Sequence, residues 1–329
     1  MSNFPATVPR FTDEDDAKER ASLTEDEIKK IQLDLFGELS SKTTVMRTQQ
    51  RRQQQQQQQR NPSTVTVGID VVDDVEDYIV EKISPEEKAD YLEALERCPR
   101  VVENESPVLA FLKCEDFNAK AAAERLVRYW RERRFLFGEE KAFLPMRLHQ
   151  AMRDDLDMLE RGTILLLPDD ARGRTVVYYD RNRVDYSNPN RFSLLRVLWY
   201  IGHAGLAQES CENGVVIITN FRVESTNMFN RKLTKLIWFT VNQCLPIKVC
   251  SVHACRVPLF GIFLIPAIKS CIGRHVRLRF IVHKGGTNED IVRKLERYGL
   301  RRSGIPDTLG GTYTSDIDEW LEERFMLGL

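Results

Sequence analysis

Residues 248–282, KVCSVHACRVPLFGIFLIPAIKSCIGRHVRLRFIV, decide the fold of this chain. An apolar, β-prone run at 248–254 is followed by a helical stretch at 258–272 and by a second apolar run at 277–282. A strand, a connecting helix and another strand in this order are typical of a parallel sheet with helices packed on it. The stretch therefore predicts an α/β domain.

The same alternation of strands and helices extends on both sides of this stretch. Further strands are predicted at 164–167, 175–179 and 215–219, and further helices at 191–208, 227–244 and 288–298. The first two strands flank a turn that contains Gly173, which predicts a hairpin. Together these elements predict a mostly parallel β-sheet covered by helices over residues 151–314, followed by a C-terminal helix or tail at 315–329.

A helical bundle is predicted before the sheet, over residues 75–150. Ser84 and Ser106 each precede a proline, so a capping side chain stands next to a residue suited to the first helical turn. Asn118 caps an alanine-rich stretch that carries Leu126 and Trp130 on one side. The fold class is therefore α/β, with an N-terminal helical bundle.

Residues 1–74 form an acidic leader that we expect to be disordered. A tract at 49–60, with seven consecutive glutamines from Gln53, cannot supply a packed core. One exception is the segment 22–39, where Ser22 and Glu25 have the spacing of a capping box before apolar residues at helical spacing. That segment predicts a short isolated helix or a partner-binding one.

The positive charge of the chain is concentrated in residues 222–284. This window holds eleven Lys/Arg residues against one acid, Glu224, in a protein of formal net charge −1. An uncharged apolar run at 257–268 adjoins the basic residues, which favours an anionic membrane over nucleic acid as the partner. The run is too short to span a bilayer. A buried helix followed by a strand with solvated arginines is the competing interpretation.

The cysteine content and the leader indicate the compartment. Seven cysteines without regular spacing fit a reducing environment better than a disulfide framework. The first twenty residues lack the apolar core of a secretory signal. We therefore expect a monomeric cytoplasmic protein that is peripheral on membranes.

One motif raises the alternative of an enzyme. Cys250 and Arg256 have the C-x5-R spacing of Cys-dependent phosphatases, in which a thiolate attacks and an arginine binds the phosphate. The intervening residues contain no glycine, and Cys250 falls within an apolar strand, so a buried structural cysteine is favoured. His253 and Cys255 lie nearby, but no second Cys/His pair completes a zinc site. The sequence predicts no catalytic residues, no metal site and no cofactor.

Several short motifs together resemble the CRAL-TRIO lipid-binding family. They are LAFLK at 109–113, DFNAKA at 116–121, YWR at 129–131, RGRTVVYYD at 172–180, LPIK at 245–248 and IPDTLGG at 305–311. Each is weak alone, but their order over more than two hundred residues is specific. The resemblance implies an apolar pocket for one lipid-like ligand, closed by a gate helix at 258–272.

The resemblance also implies site residues. The predicted gate residues are Leu259, Phe260, Ile262, Leu264 and Ile268. The predicted pocket residues are Phe192, Leu195, Leu198, Trp199, Val215, Ile217, Phe263 and Ile265. Family members bind phosphoinositide head groups with basic residues near the gate, which correspond here to Lys269, His275, Arg277 and Arg279, with Arg256 close by in the sequence.

The function that follows is binding of one hydrophobic ligand and its exchange at anionic, phosphoinositide-containing membranes. The partners would be the lipid and the membrane surface. A non-transferring membrane adaptor, with a pocket filled by its own side chains, is the main alternative, and the Cys-dependent phosphatase is a remote one.

Overall fold

The computed structural model describes residues 11–36, 63–184, 191–205, 213–222, 230–258, 264–284 and 286–329. Before the sheet the described helices are α1 (Asp13–Ala21), α2 (Glu25–Phe36), α3 (Ser63–Lys82), α4 (Pro85–Arg97), α5 (Pro99–Glu105), α6 (Val108–Cys114), α7 (Ala119–Lys141) and α8 (Leu156–Glu160). Two of the three predicted caps are present: Ser84 accepts a hydrogen bond from the backbone of Glu87, and Asn118 accepts one from that of Ala121. Ser106 does not cap α6, and its hydroxyl donates to the carbonyl of Val102 instead. The α-helical part predicted before the sheet is confirmed.

The sheet has five strands in the order β1-β2-β3-β4-β5. They are β1 (Ile164–Leu167), β2 (Thr175–Asp180), β3 (Val215–Asn220), β4 (Val249–Val257) and β5 (Phe280–Lys284). β1 and β2 pair antiparallel, as the predicted hairpin requires, and the remaining neighbours pair parallel. The predicted mostly parallel sheet is therefore confirmed.

Helices connect the strands and cover both faces of the sheet. They are α9 (Phe192–Gly205), α10 (Arg231–Phe239), α11 (Leu264–Lys269), α12 (Arg274–Arg277), α13 (Asn288–Glu296) and α14 (Ile317–Met326). A π-helical turn, Thr240–Cys244, continues α10, and 3-10 turns occupy Arg181–Arg183, Arg302–Gly304 and Asp307–Leu309. The last predicted strand starts later than expected, because Gly273 caps the short helix α12 before it.

Side chains alternate between the two faces of the central strands. Tyr178 and Ile218 pack with Leu295 of α13 in one cluster. Val177 and Ile217 point the other way, towards α9 and α10. Because successive residues of a strand face opposite sides, this register fixes which residues of β2 and β3 border a cavity.

The leader is more ordered than the sequence predicts. Residues 11–36 form two helices that lie on the sheet domain. The first, α1, contradicts the predicted disorder, whereas α2 lies within the segment 22–39, for which the sequence predicts a helix. Arg172 donates to the carbonyl of Leu35, and Phe36 stacks on Tyr298 with ring centroids 5.0 Å apart. Long-range contacts of this kind order a segment whose own composition is too polar for a core. The Gln-rich tract lies outside the described residues.

The capping box of α2 also differs from the prediction by two residues. Thr24 and Glu27 form it: the Glu27 amide donates to the Thr24 hydroxyl at 3.2 Å, and the Thr24 amide donates to the Glu27 carboxylate at 2.9 Å. Ser22 instead ends α1, where its amide donates to the carbonyl of Lys18. Both Thr and Ser have the required hydroxyl, so spacing alone did not separate the two positions.

The C-x5-R motif does not form a phosphate-binding loop. Cys250 and Arg256 lie on the same strand, β4, so six residues of extended chain hold them about 20 Å apart. Burial, with the charge of Asp34, raises the pKa of the Cys250 thiol to about 11, which opposes formation of a thiolate. The geometry contradicts the phosphatase interpretation.

None of the helices in the described part of the chain is long and apolar enough to cross a bilayer.

Candidate ligand cavity

An apolar cavity lies between one face of the sheet and helices α9, α10 and α11. The space between these elements amounts to about 900 Å³ when the part open to solvent at its mouth is included. The strands contribute Ile164, Val177, Tyr179, Ile217, Thr219 and Phe280, and the helices contribute Leu194, Leu198, Leu233, Thr234, Ile237, Trp238 and Ile268. Asn230, Val241, Arg181 and Phe221 complete the lining. The cavity therefore offers mainly hydrophobic surface.

One charged side chain borders the cavity where β2 and β3 end. Arg181 follows β2 directly and is only 7% exposed, and its guanidinium carbon lies 4.7 Å from the ring centroid of Phe221, which follows β3. The preceding Asp180 accepts a hydrogen bond from the amide of Asn182, which fixes the turn that carries Arg181. Among the described residues, the lining thus has a cationic group at one end and mainly apolar side chains elsewhere.

Comparison with known proteins identifies one domain of the chain. Residues 159–311 match the family model described as the CRAL/TRIO domain. The chain contains a CRAL/TRIO domain. This confirms the resemblance seen in the sequence motifs, and it implies binding of a lipid or another small hydrophobic ligand. Proteins of the CRAL/TRIO family are generally non-enzymatic lipid binders.

The comparisons with curated proteins and with solved structures are less informative. No curated protein matches the sequence. Among solved structures, the crystal structure of Sfh5 is similar with a TM-score of 0.44 at 14% sequence identity, over 68% of this chain and 82% of that chain.

Two of the predicted pocket residues, Leu198 and Ile217, line the cavity of the CRAL/TRIO domain. Three others do not line it. Leu195 and Trp199 are buried in the core shared with the helical bundle, where Trp199 packs against Tyr129 at 4.6 Å between centroids. Val215 packs in the same core at the start of β3. The bundle, not the ligand cavity, explains why these residues are apolar.

The remaining predicted pocket and gate residues fall in three groups. Phe192 is exposed and packs edge-on against Phe135 on the surface, so it does not line the cavity. Ile268 lines the cavity, whereas Ile265 and Leu264 pack in the core beneath α11. The other predicted residues, Leu259, Phe260, Ile262 and Phe263, lie outside the described residues.

Sequence reasoning missed most of the lining contributed by strands and by α10. Tyr179 and Arg181 continue the two-residue spacing of Val177, and Thr219 continues that of Ile217. The sequence shows this alternation, which groups the residues of a strand by face. It does not indicate which face of the sheet borders the cavity.

Three of the predicted phosphoinositide residues form ion pairs with acidic residues of the leader. Arg277 chelates the carboxylate of Glu19 through Nε (2.9 Å) and Nη2 (2.7 Å). Lys269 lies 3.3 Å from the carboxylate of Asp16. Burial opposes ionisation of Asp16, but the hydrogen bond from Arg20 and the charge of Lys269 lower its pKa overall. These cations are therefore not freely exposed.

Two further arginines belong to the same surface. Arg279 is buried and donates to Asp34 Oδ2 through Nε (2.8 Å) and Nη2 (2.5 Å). Arg274, which the sequence did not single out, donates to Glu27 at 2.7 Å. This bond, with that of the Thr24 backbone, lowers the pKa of Glu27 to about 2. We call Lys269, Arg274, Arg277 and Arg279 the cationic surface.

The remaining two predicted phosphoinositide residues have other contacts. Desolvation of its ring and the charge of Arg279 lower the pKa of His275 to about 4, so this side chain is neutral at neutral pH. Its Nε2 donates to the carbonyl of Val249, at the start of β4. Arg256 lies at the other end of β4, about 20 Å away, where it donates to Asn288. Neither contributes charge to the cationic surface.

Proposed function

We propose that this protein binds one hydrophobic, lipid-like molecule in the cavity of its CRAL/TRIO domain and exchanges it at anionic, phosphoinositide-containing membranes on the cytoplasmic side. The observation that carries the proposal is the apolar cavity between the sheet and α9, α10 and α11. Burial of apolar ligand surface supplies about 25 cal/mol per Å². The adaptor alternative requires the protein's own side chains to fill this space.

The cationic end of the cavity favours an amphipathic ligand. The guanidinium of Arg181 borders the cavity in a buried setting, where its attraction for an oxygen acceptor is stronger than in water. A ligand with an apolar body and a carboxylate, phosphate or carbonyl oxygen at one end would fit this arrangement.

The membrane part of the proposal rests on the position of the cationic surface. Lys269 ends α11, and Ile268 beside it lines the cavity. A bilayer bound at the cationic surface would therefore lie next to a wall of the ligand site. Arginine and lysine near an anionic bilayer each add about 1 kcal/mol of attraction.

A larger side chain in the cavity should weaken ligand binding. Ile217→Trp adds a large ring at the centre of the lining, so we expect binding of a fluorescent lipid analogue to weaken at least about tenfold, since lost burial of apolar area is not replaced. Fluorescence titration of the purified protein measures the affinity, and vesicle-to-vesicle transfer of the same analogue measures exchange.

Phe192→Trp is the matched control, because Phe192 lies on α9 but outside the cavity. It should bind the analogue as tightly as the unmodified chain. Equal affinity of Ile217→Trp and the unmodified chain would show that the ligand does not occupy this cavity.

Replacement of Arg181 tests the polarity of the ligand. We expect Arg181→Leu to lower the affinity for a lipid with an anionic or carbonyl head by about 1.5–3 kcal/mol, the contribution of a hydrogen bond to a charged group, and to leave the affinity for a plain hydrocarbon analogue unchanged. Arg181→Lys keeps the charge and should retain part of the affinity. A uniform loss for both kinds of ligand would contradict the assigned role.

A further inference from the structure

The leader presents acidic groups to the same cations that the proposed membrane site needs. Residues 11–36 contain nine acidic and four basic residues, a net charge of −5. Asp16, Glu19, Glu27 and Asp34 each pair with one member of the cationic surface. The four pairs follow one another along α1 and α2.

The chemistry of these pairs matches that of a phosphate contact. Arg277 holds Glu19 through two parallel N–H donors, the fork geometry with which arginine also binds phosphate. The ring of Phe11 lies 4.3 Å from the guanidinium carbon of Arg277, so an aromatic face covers the pair. The leader thus occupies the positions in which head-group oxygens would be bound.

The start of the leader is held by charge more than by apolar burial. α1 buries no residue, and α2 buries only Ile31 and Asp34. The pair between Arg274 and Glu27 is partly exposed to solvent. Contacts of this kind weaken with salt and are open to competition by another anion, whereas a large apolar interface would not be.

The end of α2 is attached differently. Arg174 donates to the carbonyl of Asp34, Arg172 donates to that of Leu35, and Phe36 stacks on Tyr298. The pair of Arg279 with Asp34 is buried on both sides. The end of α2 can therefore stay attached while α1 and the first turn of α2 leave.

We propose that α1 and the first turn of α2 act as an intramolecular occupant of the cationic surface, and that an anionic membrane displaces them. The inference rests on the proposed membrane function and adds its regulation: the leader and the bilayer exclude each other. The amide of Phe11 also donates to the carbonyl of Pro266 in α11 at 3.2 Å. Displacement would therefore also remove a contact from the helix that carries Ile268.

The test compares two triple variants of the full chain that remove the same charge. The release variant, Asp16→Asn/Glu19→Gln/Glu27→Gln, breaks three pairs with the cationic surface and leaves the buried Asp34 in place. The control variant, Asp13→Asn/Glu14→Gln/Asp26→Asn, removes three exposed acids, of which Glu14 pairs with Lys18 and Asp26 with Lys29 instead. Both retain the pair of Arg279 with Asp34, which is the most buried of the four.

Binding is measured by co-sedimentation with vesicles of phosphatidylcholine that contain phosphatidylinositol bisphosphate, and with vesicles of phosphatidylcholine alone. We expect the release variant to bind the anionic vesicles on the order of tenfold more tightly than the unmodified chain, because the competent state is no longer masked. The control variant should change little. If both variants bound the anionic vesicles equally more tightly, the change in overall charge would explain the effect, and the inference would be overturned.

Amide hydrogen exchange of residues 13–27 separates the two proposals. Anionic vesicles should increase exchange there in the unmodified chain, and the release variant should exchange fast without vesicles. If the unmodified chain and the release variant bind the vesicles equally well, the membrane function stands and the leader inference fails. If no variant binds anionic vesicles, the membrane function fails and the leader is only a structural part of the domain.

A single substitution and a soluble head group complete the test. Glu27→Gln alone, at a partly exposed pair, should give a smaller gain in the same direction without affecting folding. Soluble inositol trisphosphate should displace the leader much less than vesicles at the same phosphate concentration, since a bilayer engages several cations at once. Equal displacement by the soluble compound would identify a free phosphate ligand and overturn the membrane as the partner.

Discussion

Replacing Asp155 by alanine is expected to lower the free energy of unfolding by about 3–5 kcal/mol, the cost of leaving a buried charge without its partner. Asp155 is 1% exposed and binds Arg196 through two bonds of 2.7 Å, and Ser193 donates to it at 2.5 Å. Without the carboxylate, the 8% exposed Arg196 stays buried and unpaired. Urea unfolding followed by circular dichroism measures the loss.

The neighbouring Asp154 is a matched control. It pairs with Lys141 at 2.7 Å, but its carboxylate is exposed to solvent, where such pairs contribute about 0–1 kcal/mol. Asp154→Ala should therefore cost under about 1 kcal/mol. If the two alanine variants lost equal stability, the buried network would not have the importance assigned to it.

The Asp155 variant should also lose ligand. Arg196 lies on α9 and donates to the carbonyl of Leu136 in α7, so the network fixes α9 to the helical bundle. Leu194 and Leu198 of the same helix line the cavity. A shift of α9 would therefore change the shape of the cavity as well as the stability of the fold.

Gly311→Ala is expected to cost about 3 kcal/mol or more, because overpacking forces the backbone to move. A Cβ at this position would lie 1.9 Å from the carbonyl oxygen of Ile305, well inside contact distance. The Gly311 amide donates to the carbonyl of Pro306 at 3.1 Å and closes the turn. Thermal unfolding monitored by circular dichroism measures the effect.

Gly273→Ala serves as its control. A Cβ there meets no atom within 4 Å, and the backbone has no left-handed conformation. We expect a cost below about 1 kcal/mol, that of a less suitable residue before a short helix. A similar loss in both variants would mean that the chain avoids side chains at these glycines for reasons other than close approach.

The sequence predicted the fold well because its signals are local or repeated. Ser84 and Asn118 mark helix starts by their own side chains, and the strands around Val215 and Val252 are mostly apolar and almost entirely buried. The terminal motif also has a local cause, since Gly310 adopts φ +95° and Gly311 admits no side chain. Local requirements of this kind can be recognised in the sequence without knowing the tertiary contacts.

The candidate site was predicted less well because it depends on which face of an element meets which neighbour. Leu195 and Leu198 are equally apolar on α9, yet Leu195 packs in the core shared with the helical bundle and Leu198 borders the cavity. Helical spacing groups residues by face but does not say what the face contacts. The placement of Arg181 depended in the same way on the unknown orientation of the sheet.

The pairing of the leader with the cationic surface could not be predicted from the sequence. The sequence shows an acidic leader and a basic body, and Glu19 and Arg277 are separated by 258 positions. Nothing local pairs them, and a polar leader without a core is typical of disorder. The ordering of residues 11–36 comes from the surface on which they lie.

Native mass spectrometry tests the central claim, that the cavity holds one hydrophobic ligand. The purified full chain is incubated with a mixed lipid extract, and its mass is compared with that of Ile217→Trp treated in the same way. We expect a single lipid-sized adduct on the unmodified chain and none on the variant. No adduct on the unmodified chain, or an equal adduct on both, would contradict the claim.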